Sequence, residues 1–123
     1  MSVKDFVQQR RDALIAMRRD FHMYPEPAWL EYRSAAKVAD RLISLGYDVA
    51  LGADVLDLDS RMGLPSDEVM KAAMDRAIKE GANPELVEKM GYGKTAIVAT
   101  MKFGGEGPVV AFRVDMDSND VIE

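Results

Sequence analysis

The sequence predicts an α/β fold in which helices pack on a mixed sheet. Three observations carry this reading. Apolar residues recur at three-to-four spacing through residues 2–24 and 30–46, which gives helices with one apolar face. Two late stretches, "TAIVATMKF" and "VVAFRV", are apolar on both sides of an extended chain and so read as buried strands. A short strand, "YDVAL", and a helical excursion lie before them, so helices and strands interleave.

The first helix is expected over 2–24. Ser2 can cap it, and Asp5 lies near the positive end of the helix dipole. Val3, Val7, Leu14, Met17 and Phe21 form its apolar stripe, with the stem of Arg10 bridging a gap. Pro25 and Pro27 in "YPEP" end it. The second helix is expected over 30–46. Ala35, Val38, Ala39, Leu42 and Leu45 line one face, and Gly46 stands where a left-handed C-terminal cap belongs. The strand at 47–51 leads into a turn-rich stretch, "GADVLDLDSRMGLP". Ser66 then caps a third helix that closes at Gly81, and Asn83–Pro84 opens a fourth that runs to about Met90. "GGEGP" joins the last two strands, so they are expected as an antiparallel hairpin.

Composition narrows the function. The 123 residues suit one domain, and the formal charge of −5 opposes a broad nucleic-acid footprint. There is no cysteine, so disulfides, thiolate metal sites and cysteine nucleophiles are excluded. No run of apolar residues is long enough for a membrane span, and the first residues lack the apolar core of a secretory signal. A cytoplasmic protein with no nucleic-acid or membrane partner is expected.

Several motifs invite chemistry. "GYGKT" at 91–95 suggests a phosphate loop, but Glu88 stands where the first glycine should be, and the segment precedes a strand rather than following one. A helix exit and turn is the better reading. "GGEGP" lacks the third glycine of a dinucleotide fingerprint. The single histidine, His22, could act as a ligand or base, but at a helix end it also favours the dipole. Ser34 and Ser60 have no second histidine to serve a triad. The sharpest signal is the acidic turn "RVDMDSNDVIE". Asp115 and Asp117 share one side of an extended chain, with Asp120 and Glu123 close behind and Arg113 in front. Two carboxylates so placed suit a divalent cation or the orientation of a ligand histidine. A solvated aspartate-rich turn explains the same residues.

The motifs also resemble a known family. "RRDFHMYPEPAWLEYRSA" is similar to the opening of the metal-dependent amidohydrolases that include hippurate hydrolases, aminoacylases and auxin-conjugate hydrolases. His22, Pro25, Glu26, Glu31 and Ala35 fit its pattern, with Ser34 in place of a threonine. "VVAFRVDMD" resembles the same family's Arg-x-Asp-Met-Asp strand, through Arg113, Asp115, Met116 and Asp117. "DLDSRMGLP" and the helices after it resemble the aminobenzoyl-glutamate branch. The likeness is colinear over residues 4–123.

The resemblance implies a partial three-layer, zinc-exopeptidase-like catalytic domain, with residues 1–123 as its N-terminal portion and a helical insertion at about 53–91. It implies cleavage of an amide between an acyl or aromatic group and an amino acid, using two divalent metals, zinc or manganese. Asp117 matches the catalytic-site aspartate that orients a neighbouring ligand. Asp115 stands where related peptidases place a ligand histidine. No metal ligand is assigned in this chain, because the family's ligand motifs come later. The chain alone is therefore expected to be inactive and to bind metal weakly at best. The continuation Asp117, Ser118, Asn119 departs from the family's Asp-Ala-Leu. Expected partners are a second copy, as a homodimer or larger assembly, and the missing remainder of the enzyme. A free-standing interaction or binding module descended from such an enzyme is the alternative.

Overall fold

A computed structural model describes residues 1–121. Helix α1 spans Val3–Gln9 and α2 spans Arg11–Met23, so the single helix expected from the stripe is broken at Arg10. The break has a local cause. The Arg10 guanidinium lies 3.6 Å above the Phe6 ring, and its Nη1 reaches the Phe6 carbonyl at 3.4 Å. The Arg10 backbone N–H bonds to Val7 instead, one residue short of helical register. Ser2 and Asp5 form the capping box of α1.

Helix α3, Tyr32–Ser44, is the centre of the fold. Ala35, Ala36 and Ala39 are buried on it, and their small side chains let neighbouring elements approach closely. Its end is a Schellman turn: Gly46 takes φ +86°, and the Tyr47 N–H bonds back to the Leu42 carbonyl at 3.1 Å. Leu45, expected on the buried face, is instead half exposed, because it occupies the cap rather than the helix. Strand β1, Asp48–Leu51, follows, and then two short 3-10 turns, Gly52–Asp54 and Leu58–Ser60. Helix α4, Asp67–Lys79, is capped by Ser66, and α5, Pro84–Met90, by Asn83. Both caps are legible in the sequence. Ala73 and Ala77 from α4, Val87 and Met90 from α5, and Leu51 from β1 join α3 in one apolar core.

Strand β2, Ile97–Thr100, pairs antiparallel with β1, with Asp48 opposite Thr100 and Leu51 opposite Ile97. Here the structure corrects the expected sheet. Among the described residues it has two strands and is wholly antiparallel, not mixed. β2 pairs with β1 across the helical excursion, and "VVAFRV" forms no strand and no hairpin. Val109 and Phe112 in that segment are 97% and 92% exposed. A doubly apolar strand needs a sheet edge and a layer on each face, and the α3–α5 core supplies these only to β1 and part of β2. The stripe of α1 and α2 is likewise largely uncovered: no residue of either helix is fully buried, and of the stripe only Phe21 is half-buried.

Among the described residues, no helix is long and apolar enough to cross a membrane.

Candidate functional site

The site is built on the loop between α2 and α3. This loop must satisfy the first N–H groups of α3, and Glu31 at the cap position offers no side-chain bond. Glu26 does it from five residues back. Its Oε1 accepts from the Arg33 N–H at 2.9 Å and its Oε2 from the Ser34 N–H at 2.7 Å. The side chain is 1% exposed. Burial pushes its carboxyl pKa up, and the two backbone donors and the nearby charge of Arg76 oppose that rise.

The backbone of the same residue receives the acidic turn. The Ser118 N–H donates to the Glu26 carbonyl at 2.9 Å, and the Glu26 N–H donates to Ser118 Oγ at 3.1 Å. These residues are 92 positions apart. They bring together the two segments that carry the family resemblance. Ser118, the departure from the family pattern, is therefore the residue that anchors the turn.

The predicted site residues that the structure describes each have a definite place. Asp115 pairs with Arg113 at 2.9 Å on the surface. Met116 packs against the core. Asp117 is exposed, one residue before the Ser118 anchor, and makes no hydrogen bond or ion pair with the described residues. His22 is exposed in the last turn of α2. Glu123 lies outside the described residues. No group of three or more metal-ligating side chains is found among the described residues. "GYGKT" is a clamped turn between α5 and β2. The Gly93 N–H donates to the Tyr32 hydroxyl at 2.9 Å, and Arg61 donates to the Tyr92 and Gly93 carbonyls at 3.0 and 3.1 Å. Gly93 takes φ +60°, which favours glycine, and a Cβ there would stand 2.6 Å from the terminal Cδ2 of Leu64, which would have to shift.

The supporting layer is not apparent from the sequence. Arg33 is 3% exposed. Its two terminal nitrogens grip Asp20 at 3.1 and 2.8 Å, its Nε donates to the Glu80 carbonyl at 3.0 Å, and its plane stacks 4.0 Å from the Tyr24 ring. Lys37 reaches the same Asp20 at 3.0 Å. The Arg33 hydrogen bond above all holds the Asp20 carboxyl below its ordinary pKa. Arg33 thus ties α2, α3 and the end of α4 into one support beneath Glu26. Thr95 donates to Glu31 at 2.7 Å and fixes the entrance to β2 on the same loop. The match of Glu26 to the family pattern and the missing cap before Tyr32 are the sequence signals that Glu26 has work to do.

Known proteins match this arrangement. The chain is 44% identical over 121 residues to indole-3-acetyl-aspartic acid hydrolase of Enterobacter agglomerans, and covers 98% of its own length in doing so. It is 44% identical over 122 residues to a p-aminobenzoyl-glutamate hydrolase subunit of Escherichia coli K12. A crystal structure of an aminobenzoyl-glutamate utilization protein from Klebsiella pneumoniae superposes with a TM-score of 0.92 at 45% identity, over 98% of this chain and 30% of that one. No family model matches the chain. The chain spans 28% of the length of each of the two curated relatives.

The fold and the sequence therefore define the chain as a homologue of a hydrolase class. In particular, it is homologous over nearly its whole length to an aminobenzoyl-glutamate hydrolase subunit, of which it matches a portion.

Proposed function

We propose that this chain is the N-terminal portion of the catalytic domain of a metal-dependent hydrolase that cleaves amides of acidic amino acids, of the aminobenzoyl-glutamate kind. The observation that carries the reading is the Ser118–Glu26 junction, which unites the two resemblance segments at one place. The substrate class follows from the names of the relatives, which are hydrolases of an aryl-acyl glutamate and an indolyl-acyl aspartate. Asp117 stands free on the anchored turn and is the proposed catalytic-site carboxylate, orienting a neighbouring metal ligand. Zinc or manganese, when bound by the complete site, would polarise the amide and activate water. Residues 53–91 are the proposed helical insertion, and the complete domain the proposed three-layer, zinc-exopeptidase-like fold. The chain by itself is proposed to be inactive, its partners being the remaining catalytic portion or a second copy.

A chimaera tests this. This chain replaces the matching portion of the Escherichia coli relative, and aminobenzoyl-glutamate hydrolysis is assayed with manganese or zinc. Turnover is expected, together with a loss of roughly 10–100-fold in activity or metal affinity in Asp117→Asn. A folded, metal-loaded chimaera without turnover, or one indifferent to Asp117→Asn, would sink the reading.

A further inference from the structure

Arg76 on α4 is the unexplained charge in this structure. Its Nε and Nη2 atoms are buried and have no hydrogen-bond partner. A guanidinium stays protonated, so two unmet donors in a buried setting are costly. These two nitrogens form the side-on edge of the guanidinium, whose parallel N–H bonds match the two oxygens of a carboxylate.

Arg76 lines a cleft of about 300 Å³ together with Pro27, Leu30, Val69, Ala73 and Asp120, among others. Two carboxylates are near. Glu26 feels the Arg76 charge, but each of its oxygens already accepts a backbone N–H. Asp120 is exposed and makes no hydrogen bond or ion pair with the described residues. It lies two residues beyond Ser118, where the turn is already pinned to Glu26. A diffusible anion in the cleft would meet both carboxylates and be repelled. Asp120 meets no such obstacle, because it is one of them.

We propose that Arg76 is a positioning residue for the acidic turn: its side-on edge takes the Asp120 carboxylate and so ties the segment carrying Asp117 to helix α4. Ser118 fixes one side of the turn and Asp120 the other. This gives the helical stretch between β1 and β2 a task, which is to hold the turn from the far side of the cleft. The relevance of Asp117 rests on the proposed function; the Arg76–Asp120 contact does not.

The test uses the whole 123-residue chain and nuclear magnetic resonance. The Arg76 Nε–H should show a slowly exchanging resonance that is lost in Asp120→Asn. Exchange of the Ser118 amide should speed up about tenfold in Asp120→Asn and in Arg76→Gln, a coupling of about 1.4 kcal/mol. The double variant should be no faster than either single one, and the swap Arg76→Asp with Asp120→Arg should restore protection. Asp120 is exposed, so its variant keeps the test open if Arg76→Gln does not fold. Additive effects, or an Arg76 resonance indifferent to Asp120, overturn the proposal. Protection of the Arg76 resonance by added glutamate in Asp120→Asn and wild type alike also overturns it, by assigning the edge to an external carboxylate. None of these readouts depends on hydrolysis.

Discussion

Ser118 and Glu26 hold each other by backbone and hydroxyl: the Ser118 N–H reaches the Glu26 carbonyl at 2.9 Å, and Ser118 Oγ accepts the Glu26 N–H at 3.1 Å. The carboxylate of the same Glu26 caps α3. One buried residue thus sets the start of the central helix and the place of the acidic turn.

Removing that carboxylate should be costly. Glu26→Ala leaves the N–H groups of Arg33 and Ser34 buried without their acceptor. A loss of about 2 kcal/mol or more is expected, since each orphaned buried donor costs roughly 1–3 kcal/mol. Ser118→Ala removes the hydroxyl that accepts from the Glu26 N–H and donates at 3.4 Å to the Glu26 carbonyl, and should cost about 1 kcal/mol. Urea denaturation of the two variants checks both values. An Ala at 26 with wild-type stability would show that water caps α3 equally well.

The Asp20–Arg33 pair sets an acid limit. The folded pKa of Asp20 lies below its unfolded value, so its contribution to stability is present at neutral pH. It declines as pH falls below the ordinary aspartate range and is gone once pH passes the folded pKa. Asp20→Asn should therefore be less stable than wild type at pH 7, with the gap narrowing as pH falls through that window. Thermal melts from neutral to strongly acid conditions read this. A gap that stays constant across the series would rule Asp20 out as the source.

The uncovered apolar faces predict association. Val7, Leu14 and Met17 on the α1–α2 stripe are 46%, 44% and 48% exposed, and Val109 and Phe112 are almost wholly so. At ~25 cal/mol per Å², burying ~400 Å² of such surface is worth up to ~10 kcal/mol before ordering costs. The chain alone should sediment as a dimer or larger species at micromolar concentration. Met17→Lys or Phe112→Lys should move it toward monomer. Monodisperse monomer for the unaltered chain would favour the free-standing-module alternative. The hairpin expected at this interface does not form, so the interface falls on these exposed faces instead.

Features that depend on a few adjacent residues are settled by the sequence alone. Ser2, Ser66 and Asn83–Pro84 open their helices, and Gly46 and Gly81 close theirs at positive φ, because caps and left-handed turns are satisfied within one turn of chain. The family resemblance is legible for the same reason: it lies in short, contiguous motifs.

Choices of partner across long separations belong to the tertiary structure. β2 could pair with either neighbour by its pattern, and packing against the α3–α5 core selected β1. "VVAFRV" reads as a strand, yet propensity makes no sheet without an edge and a covering layer. The apolar stripe has a gap at Arg10, but periodicity does not show that the guanidinium captures a helix carbonyl there. Nothing local distinguishes Arg33 or Arg76 from other charged residues of a charged chain, and the signals at Glu26, its place in the family pattern and the missing cap of α3, do not show that it is buried. Their burial is decided by what folds over them, and burial turns an ordinary charge into a cap, a support or an unmet donor.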